Sequence, residues 1–185
     1  MKRKSFGSMQ CPIARSLERV GEWWSILLLR DAFLGVTRFD EFQKGLGIAP
    51  NILSRRLDAL VKAGLLKRRR YSEHPPRDEY VLTARGRDFR PVLWSLMAWG
   101  NRHFAPEGPS VQVVDSATGV PADPVLIDAS SGRLLDEPTF RSAAGPAANE
   151  RTRSRYARAR MTVGGGQLRA RSRRGARQGR EEAQR

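Results

Sequence analysis

The first half of the chain has apolar residues at helical spacing, and they predict four short helices. The first is expected over 12–20 and the second over 23–34, a run so evenly apolar that it is typical of a helix at the centre of a small core. The third is expected over 39–45. The fourth begins at Pro50, because proline suits the first helical turn, and it ends before Gly64, which suits the left-handed residue after a helix.

The fourth predicted helix has two different faces. Leu53, Leu57 and Leu60 lie on one of them and are expected to be buried. Hydrogen-bonding side chains occupy the opposite face and its flanks: Asn51, Ser54, Arg55 and Arg56. Side chains of this kind read base edges when a helix enters the major groove. The same pattern also fits the solvated face of an ordinary amphipathic helix, so the segment after the helix decides between the two interpretations.

A basic β-hairpin follows the fourth helix. Residues 65–71 are expected to form one strand and 78–82 the returning strand, and the SEHPPR turn between them is expected to hold too much proline to pair. Strand alternation sends successive members of the KRRR run to opposite sides, so at most half of them face DNA; Lys67 is the first candidate. Arg77, at the tip, is expected to contact a phosphate or the minor groove. This order of elements favours a recognition helix followed by a wing.

Two candidate DNA contacts have a second interpretation. Arg56 lies on the flank of its helix, and it is expected either to reach a phosphate or to form an internal ion pair with Asp58 or Glu41. His74 lies beside Arg77 at the tip of the wing. A histidine is common in such a turn for conformational reasons alone, so no titration role is assigned to it.

A long final helix is predicted from Ala84, with Thr83 as its N-cap, to about Phe104. Pro91 either bends this helix or lies close enough to its start to be tolerated. The apolar side chains of the helix spread too widely for one surface to cover them: Phe89, Leu93, Trp94, Leu96, Trp99 and Phe104. The small domain can cover one side and a second copy of the chain the other. This helix and the first one are therefore expected to form a homodimer interface.

Residues 109–149 contain two similar segments at an offset of 13 residues. Asp115 matches Asp128, and Gly119 matches Gly132. Each segment is expected to form a strand, a glycine turn and a short return, which together make a small β-hairpin extension. Two hairpins of this kind suggest a zinc ribbon, but no cysteines or clustered histidines lie near the turns, so no metal is assigned. A small β flap packed on the domain is the preferred interpretation.

The formal net charge of +15 is concentrated towards the C-terminus. Residues 150–185 carry twelve Arg and three Glu, a net charge of +9, and almost no large apolar side chains. Such a segment cannot offset the entropy of ordering, so a disordered Arg-rich tail is expected. It either adds salt-sensitive attraction for polyanions or is an extension without a role, and the sequence favours neither. Residues 1–10 are expected to be a flexible basic arm.

Composition and missing motifs narrow the possible functions. A single cysteine, Cys11, leaves no intrachain disulfide and no cysteine-built metal site. The first residues lack the apolar stretch of a signal peptide, and no apolar run is long enough to span a bilayer, so a cytoplasmic protein is expected. There is no phosphate-cradling loop, no HExxH pair and no nucleophile beside a base. The chain is therefore expected neither to be an enzyme nor to need a cofactor.

Several motifs in order resemble those of the HxlR-type winged helix-turn-helix regulators, which are related to the MarR group. They are CP at 11–12, WSILLL at 24–29, RF at 38–39, LSRRL at 53–57, PPR at 75–77 and WG at 99–100. The resemblance implies a mainly α fold with a small β wing (α+β), here expected over 11–108. It also implies a homodimer on operator DNA, with the helix from Pro50 in the major groove and each wing over the flanking minor groove. Regulators of this family are usually repressors.

The resemblance raises two further points. Where relatives commonly have a capping serine, this chain has Ala49, which is expected to weaken the helix start by roughly 1 kcal/mol. Some relatives carry a cysteine at the position of Cys11 that senses oxidants or electrophiles, and this requires an accessible thiolate. The preferred alternative is that Cys11 is a small, partly buried residue at the dimer interface. No small-molecule effector is identified.

Three functions fit these observations. The leading one is a sequence-specific transcriptional regulator that binds double-stranded operator DNA as a homodimer. The second is a winged-helix module that binds protein, and the third is a non-specific basic DNA-binding protein dominated by its tail. Removing the tail separates the first from the third, because only a specific regulator keeps its discrimination between operator and random DNA.

Overall fold

The computed structural model describes three parts of the chain: residues 5–6, 8–136 and 139–158. These fall into two compact units. The first contains 12–134 together with the described residues up to Ser8, and the second contains 9–11 and the described residues from Leu135 onward. Within the described residues, no helix combines the length and the apolar character that crossing a bilayer requires.

Four helices open the first unit, as the apolar spacing predicted: α1 Pro12–Val20, α2 Trp23–Phe33, α3 Phe39–Leu46 and α4 Pro50–Lys62. The core lies between them. Leu53, Leu57 and Leu60 of α4 are fully buried, which confirms the predicted inner face of that helix. Gly64, two residues after the end of α4, has a φ of 71°, in the left-handed region that glycine adopts without a steric cost.

The second helix, α2, is not buried all round, although its apolar sequence predicted that it would be. Leu28 and Leu29 are fully buried, whereas Trp23 is 75% exposed. Leu34, directly after the helix, is 78% exposed. A domain with so few elements packs against one side of α2 and leaves the other side uncovered.

A two-stranded antiparallel sheet follows α4, formed by β1 Leu66–Glu73 and β2 Pro76–Leu82. The pairing runs from Leu66 opposite Leu82 to Glu73 opposite Pro76, with an irregularity at Tyr71. The prediction that the SEHPPR segment does not pair was therefore wrong, because only His74 and Pro75 form the turn. Proline has no N–H to donate to a neighbouring strand, but Pro76 is tolerated because it is the first residue of β2. Within the described residues, the outer edge of β2 at Pro76 also pairs with no other strand, so it needs no such hydrogen bond.

The predicted long final helix is interrupted. It consists of α5 Ala84–Arg87 and α6 Arg90–Phe104. Thr83 caps α5 as predicted, since its Oγ1 accepts a hydrogen bond from the Gly86 N–H at 3.0 Å. Pro91 lies in the first turn of α6, which is the second of the two predicted alternatives. A proline inside a continuous helix would remove a backbone hydrogen bond, so a new helix begins there instead.

Two turns of the same geometry follow α6 in the first unit. Gly119 and Gly132 have φ values of 72° and 67°, and each donates its N–H to the carbonyl oxygen four residues earlier, at 2.8 Å. Each turn is closed by one isolated bridge rather than by paired strands: Val114 with Pro121, and Ile127 with Leu134. The repeat in the sequence, at an offset of 13 residues, is thus also a repeat in the structure.

Asp115 and Asp128 organise these turns. The Oδ1 atom of Asp115 accepts hydrogen bonds from the backbone N–H groups of Ala117 and Thr118, at 2.8 and 2.9 Å. The hydroxyl of Ser131 and its backbone N–H both donate to Asp128. These hydrogen bonds favour the ionised carboxylates and lower both pKa values, chiefly through the Thr118 N–H at Asp115 and the Ser131 hydroxyl at Asp128.

The first turn lies against α6. The Asn101 side-chain amide donates a hydrogen bond to the Val111 carbonyl oxygen at 2.8 Å, and Arg102 lies 3.8 Å from Asp123. No residue between 109 and 134 is buried. The segment is therefore attached to the domain by polar contacts rather than by a core of its own.

Parts of the two terminal segments are ordered by hydrogen bonds. In the first unit, the Ser5 hydroxyl and the Phe6 N–H both donate to the Glu18 carboxylate, at 2.9 Å each. In the second unit, residues 150–158 are helical, and the Asn149 side chain accepts from the Thr152 N–H at 3.0 Å at the start of this helix. The predicted disordered tail thus begins with helical residues, and its remainder, 159–185, lies outside the described residues.

Candidate nucleic-acid interface

A tight turn joins α3 to α4. Gly47 follows α3 in the left-handed region, with a φ of 61°, and donates its N–H to the Gln43 carbonyl oxygen at 2.9 Å. Ile48 is 3% exposed, so its side chain fixes the turn to the core. The α4 helix then begins at Pro50. This arrangement is a helix-turn-helix, with α4 in the position of the recognition helix.

The outward side of α4 carries three of the predicted candidates. Asn51, Ser54 and Arg55 are all exposed. Ala49, the residue before α4, has no side chain that can accept a capping hydrogen bond. Asn51 partly compensates, because its Oδ1 accepts a hydrogen bond from the Ile52 N–H at 2.8 Å. The side-chain NH2 group of Asn51 can therefore still donate a hydrogen bond to a base. Its Oδ1 can accept one from a base only if the hydrogen bond from the Ile52 N–H breaks.

Arg56 points away from this surface. Its Nη2 lies 2.8 Å from Oε2 of Glu22, and the Arg56 side chain is only 17% exposed. The prediction of an internal pair with Asp58 or Glu41 named the wrong partner. Asp58 pairs with Arg68, and Glu41 accepts the Arg38 N–H at 3.1 Å in the capping box of α3.

Three of the four basic residues on β1 are engaged inside the domain. Arg68 pairs with Asp58 of α4 and lies 5.7 Å from the centre of the Tyr80 ring. The guanidinium of Arg69 contacts Glu79 at 2.6 Å, and that of Arg70 contacts Asp78 at 2.6 Å. The hydrogen bond from Arg69 lowers the pKa of Glu79 below the ordinary glutamate value.

The remaining candidates of the wing form no ion pair within the described part of the chain. Lys67, His74 and Arg77 are exposed, and no ion pair among the described residues includes them. His74 and Pro75 form the tip and are joined by a cis peptide bond. The cations that the folded wing offers to an external anion are therefore Lys67 and Arg77, with His74 beside them.

The wing is attached to the loop before α3. The Tyr80 N–H donates to the Thr37 carbonyl oxygen at 2.8 Å, and Arg38 forms an isolated bridge with Glu79. The Arg38 guanidinium lies 4.7 Å from the centre of the Tyr71 ring. These contacts orient the wing relative to the helix-turn-helix. The sequence did not predict the roles of Glu22, Thr37 and Glu79. The pair of Arg69 and Glu79 could have been predicted from strand alternation only if the register of the hairpin had been known.

Large apolar side chains remain exposed on the outer sides of α1 and α6. On α1, Ile13 is 69% and Leu17 44% exposed. None of the residues of α6 is buried, and its exposed apolar side chains are Val92, Trp94, Leu96, Trp99 and Phe104. Phe89 and Leu93, in contrast, pack against the core. The predicted division of the final helix into a covered and an uncovered side is therefore present.

Cys11 is half-buried and directly precedes α1. Among the described residues, no group of three or more His, Cys, Asp or Glu side chains is placed to hold a metal ion. The candidate site is formed by the exposed hydrogen-bonding side chains of α4 and the exposed basic side chains of the wing.

A helix-turn-helix followed by an antiparallel wing defines the winged-helix class of DNA-binding domains. The profile of the HxlR-like helix-turn-helix family matches residues 19–108, and the chain belongs to this family. Its members are transcriptional regulators rather than enzymes. The protein is accordingly a DNA-binding transcriptional regulator with a helix-turn-helix.

Relatives of known sequence and structure agree with this assignment. An uncharacterised HTH-type transcriptional regulator of Mycobacterium tuberculosis, Rv3095, is 42% identical over 135 residues, which are 72% of this chain and 85% of that protein. The structure of a candidate transcription factor of Pseudomonas aeruginosa, PA1374, shares 56% identity with a TM-score of 0.58, over 78% of this chain and 99% of the other. A second candidate transcription factor, PA1607, shares 38% identity with a TM-score of 0.69, over 77% and 100%.

These matches extend beyond the winged helix. Because 72% of 185 residues is about 133, the match with Rv3095 runs past residue 130 wherever it begins. It therefore includes the segment that holds the two aspartate turns.

Proposed function

We propose that the protein is a homodimeric repressor that acts in the cytoplasm on a pseudo-palindromic operator in double-stranded DNA. The observation that carries this proposal is the exposed face formed by Asn51, Ser54 and Arg55, on a helix whose opposite face is fully buried. A helix held firmly on one side presents the other at a defined angle, as direct reading of base edges requires.

Each side chain of this face has a distinct task in the proposal. Arg55 donates two hydrogen bonds to the O6 and N7 atoms of a guanine, the commonest specific contact in the major groove. Asn51 donates its amide N–H to an acceptor on a neighbouring base, and Ser54 contacts a base or a phosphate. These residues lie in the first half of α4, the half that enters the groove in helix-turn-helix proteins.

The wing adds affinity more than sequence selectivity. Lys67 and Arg77 are exposed cations that form no ion pair with another described residue, and they contact phosphates on the flanking duplex with His74 at the tip between them. Each phosphate contact releases counterions, so it strengthens binding to any sequence and makes that binding depend on salt.

The proposed dimer forms through α1 and α6. A row of exposed aromatic and aliphatic side chains is costly in a monomer, and Trp94, Leu96 and Trp99 are 40–51% exposed. A second copy that covers these side chains gives the assembly a two-fold axis and two recognition helices, which match two inverted half-sites. Repression follows from occupancy of such a site alone, since a bound dimer blocks polymerase without any further contact.

Cys11 has a structural role in this proposal. The thiol is half-buried at the start of α1, where a small apolar residue fits the proposed interface. We expect operator affinity to be the same before and after treatment with diamide, and the same in Cys11→Ser. A loss of affinity in the treated wild type that Cys11→Ser abolishes would instead assign oxidant or electrophile sensing to this thiol.

Selection from a random duplex library tests the function. The full chain and a 1–149 variant are each used to enrich binding sequences, and the affinities for the enriched and for random DNA are then measured over a range of salt concentrations. We expect both proteins to enrich the same inverted repeat, with weaker overall binding and a shallower salt slope in 1–149. If neither protein enriches a sequence and 1–149 loses nearly all of its DNA binding, the protein is a non-specific basic binder. If neither protein enriches any sequence and both bind random DNA equally weakly, the winged helix has another partner, such as a protein.

A further inference from the structure

A part-buried ion pair joins the recognition helix to the start of α2. The side chains of Arg56 and Glu22 are 17% and 29% exposed, and their charged atoms lie 2.8 Å apart. The Nε atom of Arg56 is buried as well, and it has no hydrogen-bond partner within the described residues. The Arg56 charge depends on this partner, because removal of the Glu22 carboxylate leaves a largely buried guanidinium without its ion pair.

Glu22 is held in a fixed position relative to α1. It comes directly after Gly21, whose N–H donates to the Leu17 carbonyl oxygen of α1 at 2.8 Å. A Cβ atom at Gly21 would collide with that same oxygen, so the junction between α1 and α2 is closely packed at the backbone. The ion pair therefore connects α4 to the junction at the end of α1.

The leucine face of α4 and the ion pair constrain the helix in different ways. Burial of Leu53, Leu57 and Leu60 is strongly favourable but non-directional, and it tolerates small rotations of the helix about its axis. A charge-assisted hydrogen bond fixes a distance and a direction. Arg55 adjoins Arg56 in the chain, so the pair that fixes Arg56 also fixes the direction of the DNA-reading face.

We propose that Arg56 and Glu22 are positioning residues that set the rotation of this face relative to α1, and that Arg56 does not contact DNA. The inference rests on the proposed function, in which α1 belongs to the dimer interface and α4 reads base edges. In such a dimer the pair determines the angle between the two recognition helices. It therefore determines how strictly the protein requires one separation of the two half-sites.

The test uses the operator selected with the wild type and two derivatives with one base pair inserted or deleted between the half-sites. Full-length wild type, Glu22→Gln, Arg56→Met and the double variant are compared on all three duplexes and across salt concentrations. Glu107→Gln is the matched control, because Glu107 is exposed and has no ion pair among the described residues. Thermal melts verify that each variant is folded at the assay temperature, and Arg56→Gln replaces Arg56→Met if the latter is not.

We expect the wild type and Glu107→Gln to discriminate against the altered spacings by at least tenfold. Glu22→Gln and Arg56→Met should each reduce this discrimination by fivefold or more, with an unchanged salt slope, and the double variant should be no worse than either single one. Wild-type discrimination in both single variants would overturn the inference. A salt slope lower by about 1 in Arg56→Met alone would also overturn it, because that result assigns a phosphate contact to Arg56. If the wild type prefers no sequence, the proposed function fails and the inference fails with it.

Discussion

Arg69 lies directly opposite Glu79 in the wing, and its Nε is 2.6 Å from the Glu79 carboxylate. The next cross-strand pair, Arg70 and Asp78, is joined in the same way, also at 2.6 Å. Two cations of the wing are thus neutralised within the hairpin before it meets DNA. The number of basic residues in β1 is therefore larger than the number available to contact phosphates. The available cations are mainly residues outside these two pairs.

Releasing Arg69 should increase non-specific binding. In Glu79→Gln, the exposed guanidinium of Arg69 is free to contact a phosphate, and we expect affinity for random duplex DNA to rise several-fold. The salt slope should become steeper by up to about 1, the effect of one additional phosphate contact. Glu107→Gln changes the net charge equally but frees no cation of the wing. Equal slopes in the two variants would show that Arg69 cannot reach DNA.

Arg55→Ala tests the base-reading role. We expect a loss of roughly 1–3 kcal/mol at the operator and a relaxed preference at one base pair, with little change on random DNA. Lys62→Ala is the control, since it removes an exposed cation from the last turn of the same helix, away from the end that enters the groove. Fluorescence anisotropy on the operator and its single-base variants measures both effects. An equal loss in both variants would make Arg55 a general electrostatic contact.

Arg77→Ala should behave differently, because a phosphate contact carries no sequence information. We expect similar factors of weakening on operator and on random DNA, together with a salt slope that is shallower by about 1. Quantitative gel shifts at several salt concentrations provide the comparison. A loss confined to the operator would assign base reading to Arg77 and contradict its proposed role in the wing.

The two aspartate turns should open in acid. The pKa values of Asp115 and Asp128 are lowered in the folded chain, so the ionised forms stabilise the turns. This stability is fully present above the ordinary aspartate pKa of about 3.9 and is lost as the pH falls through the lower folded-state values. Hydrogen exchange of residues 109–134, expressed as protection relative to the intrinsic amide exchange rate at each pH, should show lower protection at pH 2 than at pH 7. An Asp115→Asn, Asp128→Asn variant, which keeps an acceptor that does not titrate, should lack this pH-dependent loss of protection.

The helices and the helix-turn-helix could be predicted because local signals determine them. Leucine spacing set the inner face of α4, and Pro50 and Gly64 set its limits. The break before α6 was harder to predict, since Pro91 fits both a bent helix and a new one. The pairing of Pro76 was missed because it depends on which edge of the strand carries the ladder, and sequence does not show this.

The ion pairs of the site could not be predicted for a related reason. Arg56 meets Glu22 across 34 positions of the chain, through the packing of α4 against the start of α2. Nearby acids such as Asp58 were more obvious partners by sequence distance alone. In the same way, Arg69 and Glu79 became identifiable as partners only once the hairpin register was known. Long-range contacts between charged residues depend on tertiary packing, which a helical or strand period does not encode.

Sedimentation equilibrium tests the central claim, that two copies joined through α1 and α6 present two recognition helices. We expect the full chain to sediment at twice its 20.8 kDa mass at micromolar concentration. Leu96→Glu, which places a charge on the exposed side of α6, should be a folded monomer that has lost operator affinity, whereas Leu126→Glu, the same change at an exposed leucine in the segment after α6, should remain a dimer. A monomeric wild type, or a Leu96→Glu dimer that still binds its operator, would contradict the claim.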